Sequence, residues 1–208
     1  MPPISTTSDA PAATLPVRGT PSPWSLFLKG FLKHPAMVGS IIPSSAKLVR
    51  RMLAPVDWSA TKLFVEYGPG VGTFSRAILD QMAPDAVYIA IDTNADFVRY
   101  LRQTIRDDRM RAVHGSAADV ERIVADHGFT AADYVLSGLP FSTLPAGVGD
   151  AIADATARVI RPGGAFLVYQ FAPKIAELLA PRFDAIDHSV EWWNIPPANL
   201  YWAHRAGD

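Results

Sequence analysis

At 208 residues the chain has the length of one domain, or of one domain with an arm, and enough residues for a substantial core. Hydrophobic residues at 49% and charged residues at 19% are a globular balance, and a net charge of −1 argues against coating nucleic acid through bulk charge. The absence of cysteine excludes disulfides, zinc–thiolate sites and a cysteine nucleophile. No apolar run approaches the ~18 residues of a spanning helix. The start lacks a charged segment followed by an apolar one, which points to a cytoplasmic protein.

Residues 1–23, MPPISTTSDAPAATLPVRGTPSP, are too rich in Pro, Ser, Thr and Ala to bury much surface and are expected to form a disordered arm. Residues 24–56 are expected to hold two helices. In the first, over 24–34, Trp24, Phe27, Leu28, Phe31 and Leu32 share one face opposite Lys29 and Lys33, and Pro35 ends the run. The second starts near Pro43-Ser44-Ser45 and runs through Leu53.

From residue 57 to 208 strands and helices alternate. Strands are expected at 63–67, 87–91, 111–114, 134–136 and 165–171, with two further candidates near 186–192 and 200–204. Helices between them carry Phe74, Ala77, Ile78 and Met82, then Phe97, Tyr100, Leu101 and Ile105, then residues 117–125, then Val148, Ile152, Ala155 and Val159. Arg161-Pro162-Gly163-Gly164 is expected to be a turn into the fifth strand. This rhythm predicts a doubly wound α/β domain with a seven-stranded, largely parallel sheet and an atypical C-terminal pair of strands.

The chemistry concentrates in Glu66-Tyr67-Gly68-Pro69-Gly70-Val71-Gly72. Glycines leaving a first strand let the backbone approach a ligand, and a helix is expected to follow at once. Asp92 closes the second strand, where a carboxylate accepts hydrogen bonds from a ribose diol. An acidic residue beside the glycines would be unfavourable near a pyrophosphate but suits a cationic amino-acid portion. The third glycine also comes too early for a dinucleotide fingerprint.

Together with Arg161-Pro162-Gly163-Gly164, these residues resemble the class I S-adenosylmethionine-dependent methyltransferases, a Rossmann-like fold, over about residues 60–171. The resemblance implies that Glu66, Gly68, Gly70 and Gly72 hold the amino-acid end of S-adenosylmethionine and that Asp92, with Thr93 beside it, holds the ribose. It implies that Ser116 and Ala117 lie against adenine and that Ser137 adjoins the cofactor. Many members carry Asp where this chain has Ser116, and Asp119 is a possible substitute.

Three features bear on the acceptor. Residues 10–56 contain Arg18, Lys29, Lys33, Lys47, Arg50 and Arg51 and no acidic residue, so the first helix reads either as a membrane-surface helix drawn to anionic lipid or as a lid. After the fourth strand comes Ser137-Gly138-Leu139-Pro140-Phe141. Related adenine methyltransferases carry an Asn-Leu-Pro-Tyr tetrapeptide there, so Gly138 and Phe141 count against methylation of a nucleic-acid base. Finally, Gly39-Ser40-Ile41-Ile42-Pro43-Ser44 and Trp192-Trp193-Asn194-Ile195-Pro196-Pro197-Ala198, taken with Ser137 to Pro140, resemble bacterial phospholipid N-methyltransferases acting on phosphatidylethanolamine. The second of these stretches is either acceptor contact or a turn joining the last strands.

The resemblance implies a phospholipid substrate, and peripheral association with the inner face of the cell membrane. Lys29, Lys33, His34, Ser44, Leu139, Pro140 and Phe141 are the acceptor-site candidates, and Phe141 or Tyr169 offers an aromatic face to a methylated ammonium. No general base, no metal cluster and no His–carboxylate spacing stands out in the sequence. An rRNA-type adenine methyltransferase and a non-catalytic lipid-binding module on the same fold are the alternatives.

Overall fold

β-branched and aromatic residues are concentrated in the first two strands, and seven strands assemble into one sheet. The computed structural model describes residues 46–170, 175–194 and 197–207. The expected arm, the first helix and the candidates Lys29, Lys33, His34 and Ser44 lie outside the described residues.

The strands are β1 (Leu63–Tyr67), β2 (Val87–Asp92), β3 (Met110–His114), β4 (Ala132–Ser137), β5 (Ile160–Gln170), β6 (Ala185–Glu191) and β7 (Ala198–His204). Their order is β3-β2-β1-β4-β5-β7-β6. The first five run parallel, while β7 is antiparallel to both of its neighbours. The order reverses between β1 and β4, which is where open α/β sheets bind ligands at their carboxyl ends.

The helices are α1 (Ala46–Leu53), α2 (Ser75–Leu79), α3 (Ala95–Thr104), α4 (Val120–Asp126), α5 (Val148–Val159) and α6 (Ile175–Leu179). On one face Leu48 and Met52 of α1, Ile78 of α2 and Leu101 of α3 pack with Phe64, Tyr88, Leu136, Leu167 and Trp202. On the other, Ile123 of α4, Ile152 and Val159 of α5 and Leu179 of α6 pack with Val65, Tyr67, Ile89, Val135 and Phe166. Alternate residues of each strand thus serve opposite cores, so the central strands are apolar on both sides.

Several expectations shift. The α2 helix does not follow the glycines at once and stops before Met82: a turn occupies Val71 to Phe74, and Met82 is buried beyond the helix end. Tyr100 faces solvent, because α3 buries only Phe97, Val98 and Leu101. A 3-10 turn, Ala117–Asp119, precedes α4. Arg161-Pro162-Gly163-Gly164 is an insertion inside β5, which already pairs at Ile160 with Ala132 and resumes at Ala165 opposite Tyr134.

That insertion lies at the amino-terminal edge of the sheet, away from the glycine turn. Asp133 binds it there, pairing with Arg161 while accepting the backbone N–H groups of Lys62 and Leu63 at 2.8 Å each. The motif is therefore a structural clamp in this chain. A His–carboxylate pair also exists that no spacing announced: His204 Nε2 lies 3.1 Å from Asp187 across β6 and β7.

Candidate active site at the carboxyl edge of the sheet

The chain leaves β1 at Tyr67 and turns sharply. Gly68 N–H donates to Ile91 O at 2.9 Å, Gly72 N–H donates to Pro69 O at 2.8 Å, and Gly68, Gly70 and Gly72 all have positive φ. Gly70 is the informative one: at φ 55° its missing Cβ would point into open space, so the turn presents bare backbone to whatever lies there.

Asp92 faces this turn. It is 8% exposed, accepts the backbone N–H of Asn94 at 2.8 Å and that of Gly70 at 3.4 Å, and among the described residues has no Lys or Arg in ion-pair contact. Burial raises its pKa, against the opposing pull of those two N–H groups and the nearby His114. His114, opposite Asp92 in register, bonds Thr93 O at 3.1 Å, and Thr93 itself is exposed beside it. A carboxylate held by two backbone donors keeps lone pairs for a diol.

Glu66 lies one residue before the end of β1 and is 2% exposed. Burial pushes its pKa up to about 7, opposed by hydroxyl donors from Tyr88 and Ser75. Ser75 and Tyr88 also bond each other at 2.8 Å. These two hydroxyls are site residues that the sequence reading missed; only the alternation of β2, which turns Tyr88 to the face of Glu66, signalled the first.

Ser116 caps the 3-10 turn, its Oγ accepting Ala118 N–H at 3.2 Å, and Ala117 is buried behind it. Asp119 lies 3.9 Å from Arg122 at the surface. Ser137 is fully buried and shapes the next loop by accepting Leu139 N–H at 3.2 Å. The glycine turn and the loop after β4 abut, since a Cβ on Gly68 would stand 3.0 Å from Leu139 Cδ2. Leu139 and Pro140 are half-buried there.

Tyr169 explains Gly138. A Cβ at position 138 would lie 2.6 Å from Tyr169 Cζ and nearer still to its hydroxyl. The phenol thus occupies the space that a side chain at 138 would take, its ring tilted against Phe74 with centroids 4.9 Å apart. Phe141 goes elsewhere: its ring meets Phe166 edge-on at 6.4 Å in the opposite core. Phe141 and Tyr169 therefore stand against different cores and do not flank one point.

This sheet order, with a glycine turn and an acidic second-strand terminus at the switch point, is that of a Rossmann-like α/β domain with its ligand site at the carboxyl edge. Residues 64–164 match the family model described as a methyltransferase domain, and the chain belongs to the class I S-adenosylmethionine-dependent methyltransferases. It is 31% identical over 178 residues to the ornithine lipid N-methyltransferase of Singulisphaera acidiphila, a span of 85% of this chain and 93% of the relative. Two solved structures share the fold. One is 1,6-didemethyltoxoflavin-N1-methyltransferase of Burkholderia thailandensis with bound S-adenosylhomocysteine (TM-score 0.62, 15% identity, 96% of this chain and 93% of that one). The other is precorrin-6y C5,15-methyltransferase of Geobacter metallireducens (TM-score 0.61, 14% identity, 77% and 88%).

S-adenosylmethionine is the cofactor, and the edge described above fits it. The bare backbone at Gly70 leaves room for the amino-acid portion, and Asp92 has acceptor capacity for the ribose.

Proposed function

We propose that this chain methylates the amine of a membrane-lipid headgroup, phosphatidylethanolamine in the first place, at the inner face of the cell membrane. The observation that carries the lipid reading is the 31% identity to a lipid N-methyltransferase, which spans 178 residues and so extends well beyond the 64–164 core. That relative's own activity favours a second reading, the amine of an ornithine lipid. Gly138 supports either over a nucleic-acid base, because Tyr169 fills the place of the amide side chain found in adenine enzymes.

In this reading Gly68, Gly70 and Gly72 receive the amino-acid end of the cofactor, with the Glu66 carboxylate nearby to balance its ammonium. Asp92 accepts the ribose hydroxyls beside Thr93. Ser116 and Ala117 line the adenine side, and Ser137 holds the loop that closes the site. The bound cofactor supplies an electrophilic methyl on a sulfonium. Leu139 and Pro140 exclude water from the acceptor amine, and that desolvation favours the neutral, nucleophilic form. The Tyr169 hydroxyl accepts an N–H from the amine and aims its lone pair, so the rate arises mainly from positioning. The same ring offers its face to the methylated ammonium, worth about 0.5–2 kcal/mol. Tyr169→Phe is expected to lower kcat about tenfold (~1.4 kcal/mol) while the cofactor Kd stays unchanged.

The test is transfer of labelled methyl from S-adenosylmethionine to anionic vesicles containing phosphatidylethanolamine, to vesicles containing an ornithine lipid, and to structured RNA. Label in phosphatidylethanolamine is the expected result. Label only in the ornithine lipid selects the second reading, and label only in RNA overturns both. Cofactor binding without transfer to any acceptor favours a non-catalytic module.

A further inference from the structure

Trp192 and Trp193 are 73% and 80% exposed, the two most exposed large hydrophobic side chains among the described residues. They stand side by side on the turn that leaves β6. Because β6 is antiparallel to β7, and β7 to β5, β6 runs with the parallel strands and ends at the same edge. The Trp pair therefore rises from the rim that carries the glycine turn and the 138–141 loop. Four strand spacings separate β6 from β1, a distance of about 19 Å along that rim.

The turn is held in place by charge. Glu191, 1% exposed, accepts Trp193 N–H at 3.2 Å and pairs with Lys47 and Arg51 of α1 at 3.3 Å each. Lys47 Nζ also sits 5.5 Å from the centre of the Trp193 ring. Arg50, between these cations on the same helix, is exposed. Two solvent-facing indoles thus adjoin Lys47 and Arg51, whose shared acidic partner Glu191 is buried, with Arg50 exposed on the same helix.

We infer that the Trp192–Trp193 turn, together with Lys47, Arg50 and Arg51, docks the cofactor edge of the sheet onto an anionic lipid bilayer. Indole rings partition to the headgroup level of a bilayer, where the ring is buried and its N–H stays hydrated. Cations beside them gain from the negative surface potential of anionic lipid. Docked in this way, the rim that carries the glycine turn and Leu139 faces the plane of the headgroups. The inference rests on the lipid-acceptor reading for its choice of partner.

The experiment is co-sedimentation of the full chain with phosphatidylglycerol–phosphatidylethanolamine vesicles, comparing native protein with W192S/W193S and, separately, with R50E. Cofactor affinity reports the folded state, and methyl transfer to detergent-dispersed phosphatidylethanolamine reports chemistry without a bilayer. W192S/W193S is expected to bind vesicles at least tenfold more weakly, with cofactor affinity and dispersed-lipid transfer within twofold of native. R50E is expected to bind several-fold more weakly and with a shallower salt dependence, which keeps the test decisive if the double variant does not fold. Unchanged vesicle affinity in both variants overturns the docking surface while leaving the acceptor reading intact. So does a native chain that ignores vesicles, or a Trp-dependent dimer with unchanged vesicle affinity. Trp-dependent vesicle binding without transfer to dispersed lipid keeps the surface and removes the acceptor reading.

Discussion

Asp92 and Asp133 are buried to nearly the same degree, 8% and 7% exposed, at opposite edges of one sheet. Asp133 is fully employed: two backbone N–H groups occupy one oxygen and the Arg161 guanidinium the other. Asp92 also has two backbone donors, but no Lys or Arg pairs with it among the described residues, and burial raises its pKa. A buried carboxylate with a matched cation ties strands together. One left with acceptor capacity beside open backbone is suited to a ligand.

Replacing the first should cost stability and replacing the second should cost binding. Asp133→Ala strips two backbone donors and a guanidinium of their partner, and is expected to destabilise the fold by about 3–4 kcal/mol in urea unfolding. The cofactor Kd of the folded fraction should not change. A loss below ~1 kcal/mol would remove the contrast at its structural end.

Glu66 sharpens the comparison, since it is a buried carboxylate at the ligand edge whose partners among the described residues are hydroxyls. An unfolded chain releases this proton near pH 4.5, whereas the folded one holds it until about 7. Stability should therefore fall as pH rises between those values, by an amount of the order of 3 kcal/mol, and then level off. Cofactor affinity should rise as pH passes 7, when the carboxylate ionises opposite the ligand's ammonium. Glu66→Gln is expected to flatten both profiles; profiles identical to native would deny Glu66 its place beside the cofactor.

The smallest effect on the fold belongs to Asp92→Ala. Cofactor affinity should drop about 30-fold, the ~2 kcal/mol of charge-assisted hydrogen bonds to a diol, with vesicle binding unchanged and an unfolding loss of only about 1 kcal/mol from the two released backbone donors. A stability loss as large as that of Asp133→Ala would erase the distinction between the two edges.

The ligand edge was more legible in the sequence than its counterpart. The strand at 63–67, the glycine spacing and Asp92 are local signals, and each follows from hydrophobic run length or a need for positive φ. The opposite edge depends on contacts across the chain. Asp133 meets Arg161 only because β4 and β5 pair with an insertion, so the Arg-Pro-Gly-Gly stretch expected as a turn into the fifth strand is a clamp inside it. The same limit applies to the acceptor side. Gly138 looked like a missing amide, and only β5 register brings Tyr169 over it while loop geometry sends Phe141 to the other core. Likewise Asp187 and His204 pair across an antiparallel register that no spacing encodes.

The most direct measurement is mass analysis of the lipid extract after incubating the full chain with S-adenosylmethionine and phosphatidylethanolamine vesicles. The account predicts methyl increments confined to the headgroup amine, absent in Asp92→Ala at cofactor concentrations below its weakened Kd. Phosphatidylethanolamine recovered unmodified would contradict it.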